Sequence, residues 1–287
     1  MQEIKCRVAL SLGGGFEGTP AKVWGTKKYN SKTDKDKPCV FFGLYGLPDF
    51  YELWRHRGKK WILWCGSDIR NFINGYWLEN GGGIKLCPKG LAKWINQNCE
   101  NWVENEVEQR MLAGHGITAK VCPSFLGNVE KFEITYKPAE KPKVYASVSG
   151  DDFKLYGWDT IERIVGRVPE VDFYLYGSKN WKTKHKNVII RGRVSKKIMN
   201  KETEKMQAGF RPVEFDGCSE IIVKAILRGQ YVISRIAYPF CPAYQNDDEL
   251  IFQLKNLSQK SFPNWRAWFW FSNNLNKFPW TPQICKK

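Results

Sequence analysis

Short apolar runs that end in glycine and polar residues constrain the fold of this chain most. Residues 7–12 precede a run of three glycines, and residues 61–65 precede Gly66-Ser67-Asp68. A third run, residues 40–44, lies between them and contains Gly43. Continuous apolar runs with such turns are typical of strands buried on both faces of a parallel sheet. Helices predicted at 49–57 and 101–113 make strands and helices alternate, as in an α/β domain.

The same alternation restarts after residues 135–143, a stretch with two prolines. Proline fixes φ and removes a backbone donor, so this stretch is predicted to be an extended linker. After it, the patterns predict strands at 144–148, 171–176, 187–190 and 231–234, and helices at 158–168 and 219–228. Two doubly wound, Rossmann-like α/β domains facing each other across a cleft are therefore expected, with ligands at the carboxyl ends of the strands.

The length of 287 residues agrees with two domains, because single hydrophobic cores tend to divide at about this size. We expect domains at 1–137 and 143–240. Residues 241–287 form a basic, aromatic segment that is expected to pack back on the first domain.

The net charge of +16 is concentrated in two segments. Residues 179–197 contain eight Lys and Arg, no acid and Trp181, whereas residues 251–287 contain six Lys and Arg and no acid. The second segment also carries four tryptophans: Trp265, Trp268, Trp270 and Trp280. Such segments attract phosphates of nucleic acids, lipid headgroups or nucleotides, although a lysine-rich surface is also simply well solvated. Two of them together favour a polyanionic partner.

The compartment follows from hydropathy and cysteine usage. No apolar run approaches the roughly 18 residues of a spanning helix, and the first apolar stretch contains Glu3, Lys5 and Arg7. We therefore expect neither a signal peptide nor a membrane span. Nine cysteines without a CxxC pair indicate a reducing cytoplasm and no zinc site.

Two polar turns follow the predicted strands. Gly13, Gly14 and Gly15 would let a backbone approach a phosphate or a sugar, but a glycine run also forms an ordinary turn. Ser67 and Asp68 are placed at the carboxyl end of a strand, where α/β sites gather; Asp68 is equally suited to capping the next helix.

A loop that opens a helix carries the main site prediction. Asp216, Gly217 and Ser219 precede or begin the helix at 219–228, with Glu220 in its first turn. Unpaired N–H groups at a helix start bind diphosphates well, and Arg211 would lie beside them. Capping of the helix by Asp216 and Ser219 is an alternative with the same residues.

The order of these motifs resembles the retaining GT-B glycosyltransferases of group 1, the family 4-like enzymes. Residues 64–68 resemble the "HGSD" turn of that family, 121–124 its "viPN" segment and 156–177 its "KG…P…F…G" stretch. The donor-binding signature is matched by Asp216, Ala225, Gly229, Val232 and Ile233.

The resemblance implies a nucleotide-sugar donor, with UDP-sugars first, and no catalytic metal. It places the donor in domain 143–240 and the acceptor in domain 1–137, beside Ser67 and Asp68. Asp216 would hold donor-sugar hydroxyls. Lys154 or Arg193, with the helix start, would stabilise the diphosphate.

Two departures from the family pattern concern its contacts. Lys224 stands where the family has a second Glu that holds the ribose, and Cys65 replaces the histidine of the "HGSD" turn. A catalytically inactive GT-B-shaped protein that binds a nucleotide sugar or nucleic acid is therefore an alternative.

The acceptor stays open between two polyanionic classes. A hydroxymethylated base in DNA, as in phage enzymes, is favoured by the absence of a spanning segment; a lipid-linked or envelope glycan at an anionic membrane is the other. We expect His56 and His185 to be solvated and His115 to cap a helix, so no general base is assigned.

Overall fold

Two parallel sheets carry the fold in this computed structural model, which describes residues 3–12, 18–73 and 88–282. Among these residues, the first sheet has the strand order β2-β1-β3-β4-β5-β6 with every pair parallel. Its strands are β1 Lys5–Val8, β2 Lys27–Lys28, β3 Cys39–Phe42, β4 Lys60–Leu63, β5 Glu100–Val103 and β6 Ala119–Val121. The helices that connect them are α1 Thr19–Trp24, α2 Leu47–Arg55, α3 Ser67–Ile73, α4 Pro88–Asn98 and α5 Glu106–Gly114.

The second sheet has the order β11-β10-β7-β8-β9 and is also parallel throughout. Its strands are β7 Lys143–Ser147, β8 Asp172–Tyr176, β9 Val188–Gly192, β10 Ala208–Arg211 and β11 Tyr231–Ser234. The helices of this half are α6 Trp158–Ile164, α7 Lys196–Thr203, α8 Glu220–Leu227, α9 Asp247–Lys255 and α10 Trp265–Asn274. Strand order reverses between β7 and β10, which makes the carboxyl ends of these strands the switch point where α/β proteins bind ligands. The predicted α/β fold with two doubly wound sheets is confirmed.

The chain forms two compact units. The first contains the described residues of Met1–Asn128, Asp216–Cys218 and Asn274–Lys287. The second contains Val129–Phe215 and Ser219–Asn273. The domains expected at 1–137, 143–240 and 241–287 stay predictions, both in their boundaries and in the acceptor and donor roles assigned to them.

The core of the first unit includes aromatic residues from the C-terminal segment. Phe278 and Trp280 stack on each other at 4.5 Å, and Trp280 contacts the rings of Trp24, Trp61 and Trp102. Trp280 is 2% exposed, so this tryptophan stabilises the unit and is not available to a polyanionic partner.

Trp181 is also part of a core cluster. Its ring lies 5.0 Å from Phe153 and 5.9 Å from Trp158 in the second unit. The aromatic residue of the basic run 179–197 therefore packs inward, and the lysines around it remain at the surface.

One predicted helix differs from the structure. The helix expected at 101–113 begins at Glu106, after β5, because Asn105 is its N-cap and accepts a hydrogen bond from Glu108 N.

Residues 135–143, predicted to be an extended linker, form no helix and are hydrogen-bonded to the second unit. The backbone N–H groups of Thr135 and Tyr136 donate to Arg228 O, and the Tyr136 hydroxyl donates to Lys260 O at 2.6 Å.

His56 is buried, which contradicts the expectation of a solvated side chain. It lies 3.3 Å from the Tyr29 hydroxyl and packs against Phe41, and burial lowers its pKa to about 4. His185 is half-buried and faces Glu162, whereas His115 ends α5 and pairs with Met111 O at 3.0 Å.

Candidate functional site

Polar side chains that follow β4 meet at the carboxyl edge of the first sheet. Asp68, in the first turn of α3, is fully buried. Its Oδ2 accepts from Leu44 N at 2.9 Å, and its Oδ1 accepts from Cys65 N at 2.8 Å. Ser67 Oγ lies 3.3 Å from the hydroxyl of Tyr45. Asp68 thus joins the turns after β3 and β4, while an acceptor-side role for Ser67 and Asp68 stays a prediction.

Two glutamates, the half-buried Glu104 and the buried Glu108, follow β5 at the same edge. Glu108 Oε2 accepts from Glu104 N at 2.8 Å, and Glu104 pairs with the hydroxyl of Ser124, which follows β6. Glu108 is fully buried, and its Oε1 has no hydrogen-bond partner among the described residues. The structure therefore places a carboxylate cluster here that the sequence analysis did not include.

The predicted donor-binding segment Asp216–Cys218 packs within the first unit, on this cluster. Asn105 Nδ2 donates to Asp216 O at 2.8 Å, and Glu104 Oε2 accepts from Cys218 N at 2.7 Å. Asp216 Oδ1 accepts from Gly217 N, as in a tight turn. A Cβ at position 217 would overlap the carboxylate of Glu104, so the close approach of this backbone requires glycine.

Burial controls the electrostatics of the carboxylate cluster. It raises the pKa of Asp68 and of Glu104 to about 7, and it raises the pKa of Glu108 as well. The negative charges of Asp68 and Asp216 raise the pKa values of both glutamates further. The cluster therefore binds protons near neutral pH, where ordinary carboxyl groups are ionised.

A signal for Glu104 and Glu108 existed in the sequence. Asn105 followed three residues later by Glu108 is the pattern of a helix N-terminus, which leaves Glu104 in front of the helix. Because the predicted helix began too early, Glu104 was placed inside it and its position at the end of β5 was missed.

In the second unit, Arg211 ends β10 at the topological switch point. Its guanidinium lies 4.6 Å from the centre of the Tyr156 ring, and its Nη1 lies 3.4 Å from Ser147 O at the end of β7. Tyr156 and Ser147 O thus hold a planar cation at the place where α/β sheets bind anionic ligands.

The other predicted cations of this edge are exposed. Arg193 directly follows β9, and Lys154 lies in the turns after β7. Neither side chain has an ion-pair partner within the described ranges. Both stay predictions as contacts of a diphosphate.

The predicted helix start is present as α8. Ser219 is its N-cap residue, but within the described part of the chain its side chain forms no capping hydrogen bond. Glu220 in the first turn pairs with Lys224 Nζ at 2.8 Å. The alternative that Ser219 serves only to cap the helix is therefore not supported by a side-chain hydrogen bond. Gly13, Gly14 and Gly15 lie outside the described residues.

Two searches of the described residues concern metals and membranes. Within 3–12, 18–73 and 88–282, no group of three or more His, Cys, Asp or Glu is arranged to hold a metal ion. None of the described helices is long and apolar enough to span a bilayer.

Comparison with solved structures identifies the fold. The lipopolysaccharide outer core galactosyltransferase WaaB is similar at a TM-score of 0.57 and 12% identity, over 90% of this chain and 90% of that protein. HepE of Anabaena, solved with UDP and glucose, is similar at a TM-score of 0.53 and 11% identity, over 96% and 95%.

TarM of S. aureus is similar at a TM-score of 0.51 and 13% identity over 82% of this chain, which spans about half (51%) of the length of TarM. No protein-family model and no curated protein matches the sequence. At these identities the similarity shows the fold, which is the GT-B fold expected from the order of the motifs.

Proposed function

We propose that the chain is a glycosyltransferase that moves a sugar from a nucleotide-sugar donor to an acceptor hydroxyl. The observation that carries this proposal is Arg211, held by Tyr156 and Ser147 O at the switch point of the second sheet. The fold supports it, because HepE was solved with UDP and glucose and a TarM variant with UDP. A UDP-sugar is the first donor to test.

The donor diphosphate would contact the carboxyl edge of the second sheet. Arg211 supplies a bidentate cation, Lys154 and Arg193 supply exposed positive charge, and the start of α8 at Ser219–Glu220 supplies N–H groups. Positive charge stabilises a departing diphosphate, so these residues would lower the barrier as the sugar–phosphate bond breaks. This leaving-group chemistry needs no metal.

Asp216 would hold hydroxyl groups of the donor sugar. Its backbone is fixed by Asn105, and the following residues are fixed by Glu104, so the loop is positioned before a sugar binds. By resemblance, transfer would retain the anomeric configuration.

A binding protein without turnover is the second candidate function. Lys224 is ion-paired with Glu220, in place of the carboxylate that would bind the ribose in the family. A lysine ammonium cannot accept a hydrogen bond from a hydroxyl, so the ribose would need a different partner.

Donor binding tests the proposal at Arg211. Calorimetry with UDP should show affinity about tenfold or more weaker for Arg211→Ala, because a charge-assisted hydrogen bond contributes about 1.5–3 kcal/mol. Arg167→Ala is the matched control, since Arg167 is an exposed arginine paired with Asp248. Equal affinities for all three proteins would contradict the proposed donor site.

Turnover tests the proposal at Asp216. Transfer or hydrolysis across a nucleotide-sugar panel should fall by orders of magnitude in Asp216→Ala, with a thermal midpoint close to that of wild type. Glu214→Ala is the control, because Glu214 is an exposed acid paired with Arg235. A wild-type chain that binds UDP but turns over no donor would favour the binding protein.

The acceptor is the finer part of the proposal, and two polyanionic classes are tested side by side. Labelled sugar is supplied with hydroxymethylated DNA, unmodified DNA, or lipid-linked glycans in anionic vesicles. Transfer to hydroxymethylated DNA alone would identify the base hydroxyl, and transfer in vesicles alone would identify the glycan.

A further inference from the structure

We infer that an aromatic and basic face of the second unit binds the surface of an anionic lipid bilayer. The aromatic face is defined by four exposed side chains at and around the start of α10: Phe240, Phe262, Trp265 and Phe269. The inference deepens the proposed function by naming the surface at which an acceptor would be met. Binding is measured without donor or transfer, so it can fail independently of the glycosyltransferase proposal.

The exposed side chains are large and strongly solvated. Phe262 is 72% exposed, Trp265 52% and Phe269 65%. In α10, Ala267 and Phe271 are buried four residues apart. Trp265 and Phe269 have the same spacing on a different face of the helix, which is left in contact with water. Large apolar side chains exposed on one face of a helix mark interaction sites.

Phe240 belongs to the same surface. Phe240 and Arg266 line one depression of about 400 Å³, together with Asn264. The side chain of Asn264 donates to Phe240 O at 3.4 Å and accepts from Ala267 N at the start of α10. Phe240 has a φ of 61°, an uncommon conformation for a phenylalanine, and its side chain is still 54% exposed. The local structure therefore fixes this ring at the surface.

Positive charge accompanies the aromatic face. Lys255 ends α9, Arg266 lies in the first turn of α10, and Lys260 lies 5.4 Å from the ring of Tyr231. The sequence has no acidic residue from position 251 onward. Of the three acids at the start of α9, Asp247 pairs with Arg163 and Asp248 with Arg167. The third, Glu249, accepts hydrogen bonds from Gln245 N and Asn246 Nδ2.

This combination fits a bilayer surface better than a nucleic acid. Phenylalanine has no polar atom, so its exposure gains nothing from phosphates alone, and paired bases in a duplex offer no apolar volume. The bilayer interface offers both an apolar region about 5–10 Å deep and anionic phosphates above it. Lysine and arginine stems can lie along that boundary with their charges among the headgroups.

Sedimentation of the full chain with vesicles tests the aromatic part. Wild type should bind mixed phosphatidylcholine–phosphatidylglycerol vesicles and bind phosphatidylcholine vesicles weakly. Trp265→Ser/Phe269→Ser should weaken binding about tenfold or more, since interfacial binding scales with buried apolar area. Tyr51→Ser/Trp54→Ser is the matched control, because these are two exposed aromatic residues of α2 in the first unit. Binding lost in the control and kept in the α10 variant would overturn the inference.

Variants that remove positive charge test the basic part of this face. Lys255→Ala/Lys260→Ala/Arg266→Ala should weaken binding to anionic vesicles by about 100-fold, because each Lys or Arg near the surface contributes about fivefold. Lys182→Ala/Lys184→Ala/Lys186→Ala removes the same charge from exposed positions in the other basic run. Equal loss in both triple variants would show that net charge alone acts, and would overturn this face.

Duplex DNA supplies the competing outcome. If wild type binds DNA, ignores anionic vesicles, and loses DNA binding in the α10 variants, the face belongs to a nucleic acid. Thermal midpoints within a few degrees of wild type confirm that each surface variant is folded.

Discussion

Burial at the end of a strand gives three carboxyl groups of this protein an unusual chemistry. Asp68 and Glu108 are fully buried and Glu104 is half-buried, and the raised pKa values of all three follow from lost hydration. Backbone N–H groups partly compensate by donating to Asp68 and Glu104. Protonation therefore affects the stability of the segment Asp216–Cys218, which is anchored to Glu104.

The stability of this cluster should fall as the pH rises. A carboxyl group with a raised native pKa stabilises the fold below its unfolded pKa, near 4.5, and loses that contribution as the pH rises through its native pKa, which for Glu108 burial raises well above 4.5. In Glu108→Gln, the free energy of unfolding relative to wild type should increase by on the order of 1 kcal/mol or more between about pH 5 and pH 8. Urea denaturation across that range measures it.

The comparison with wild type is needed because His56 has the opposite effect. Its lowered pKa of about 4 makes stability rise with pH between that value and 6.5. Glu106→Gln is the control, because Glu106 is an exposed acid on the same helix, and it should show no pH-dependent difference. A flat difference for Glu108→Gln would mean that Glu108 is ionised in the native state at pH 5.

Individual site residues were predicted unevenly from the sequence. The position of Ser219 at a helix start was predicted because helix starts have local signatures, and Arg211 was placed only by its nearness to that start; the donor-binding roles of both stay predictions. Glu104 was missed because its partners, Ser124 and Cys218, are distant in sequence, and only the fold brings them together. The burial of His56 was missed for the same reason, since its neighbours in sequence are charged.

At the scale of elements, buried strands were predicted best. The strands of the second sheet were found within one or two residues, except β10, because four of them lie in apolar runs between turns. β10 was absent from the prediction, since Ala208–Arg211 is short and contains Gly209. A Cβ at position 209 would lie only 2.9 Å from Ala225 Cβ, so this close packing favours glycine. α9 and α10 were also missed, because their polar and aromatic compositions hide a periodic apolar face.

The C-terminal segment 274–282 should stabilise the first unit through its aromatic residues. Trp280→Ala would leave a cavity among Trp24, Trp61 and Trp102, at a cost of about 3–5 kcal/mol in the free energy of unfolding. Chemical denaturation followed by circular dichroism measures this loss.

Trp54→Ala is the matched substitution, because Trp54 is 57% exposed in the same unit. It should change the free energy of unfolding by less than about 1 kcal/mol. A similar small effect for Trp280→Ala would contradict a structural role for the segment.

At the scale of the whole molecule, the fold and the charge answer different questions. The GT-B fold leaves the acceptor open, because one fold hosts many reactions. The charge of +16 favours binding of any anion and does not distinguish DNA from anionic lipid. The arrangement of exposed aromatic residues does distinguish them, because apolar contacts persist at salt concentrations that screen charges.

Salt dependence should therefore separate the two acceptor classes. If the chain neutralises six or more phosphates of duplex DNA, its affinity should fall about 10³-fold or more between about 50 and 200 mM salt, through counterion release. Binding to anionic vesicles through Lys255, Lys260 and Arg266 should fall by only about tenfold over that range, since the Debye length shortens while the aromatic contribution is kept. Titrations of wild type against both surfaces measure the two slopes. A vesicle slope as steep as that of DNA would mean that charge alone holds the protein at the membrane, and that the exposed phenylalanines do not enter the bilayer.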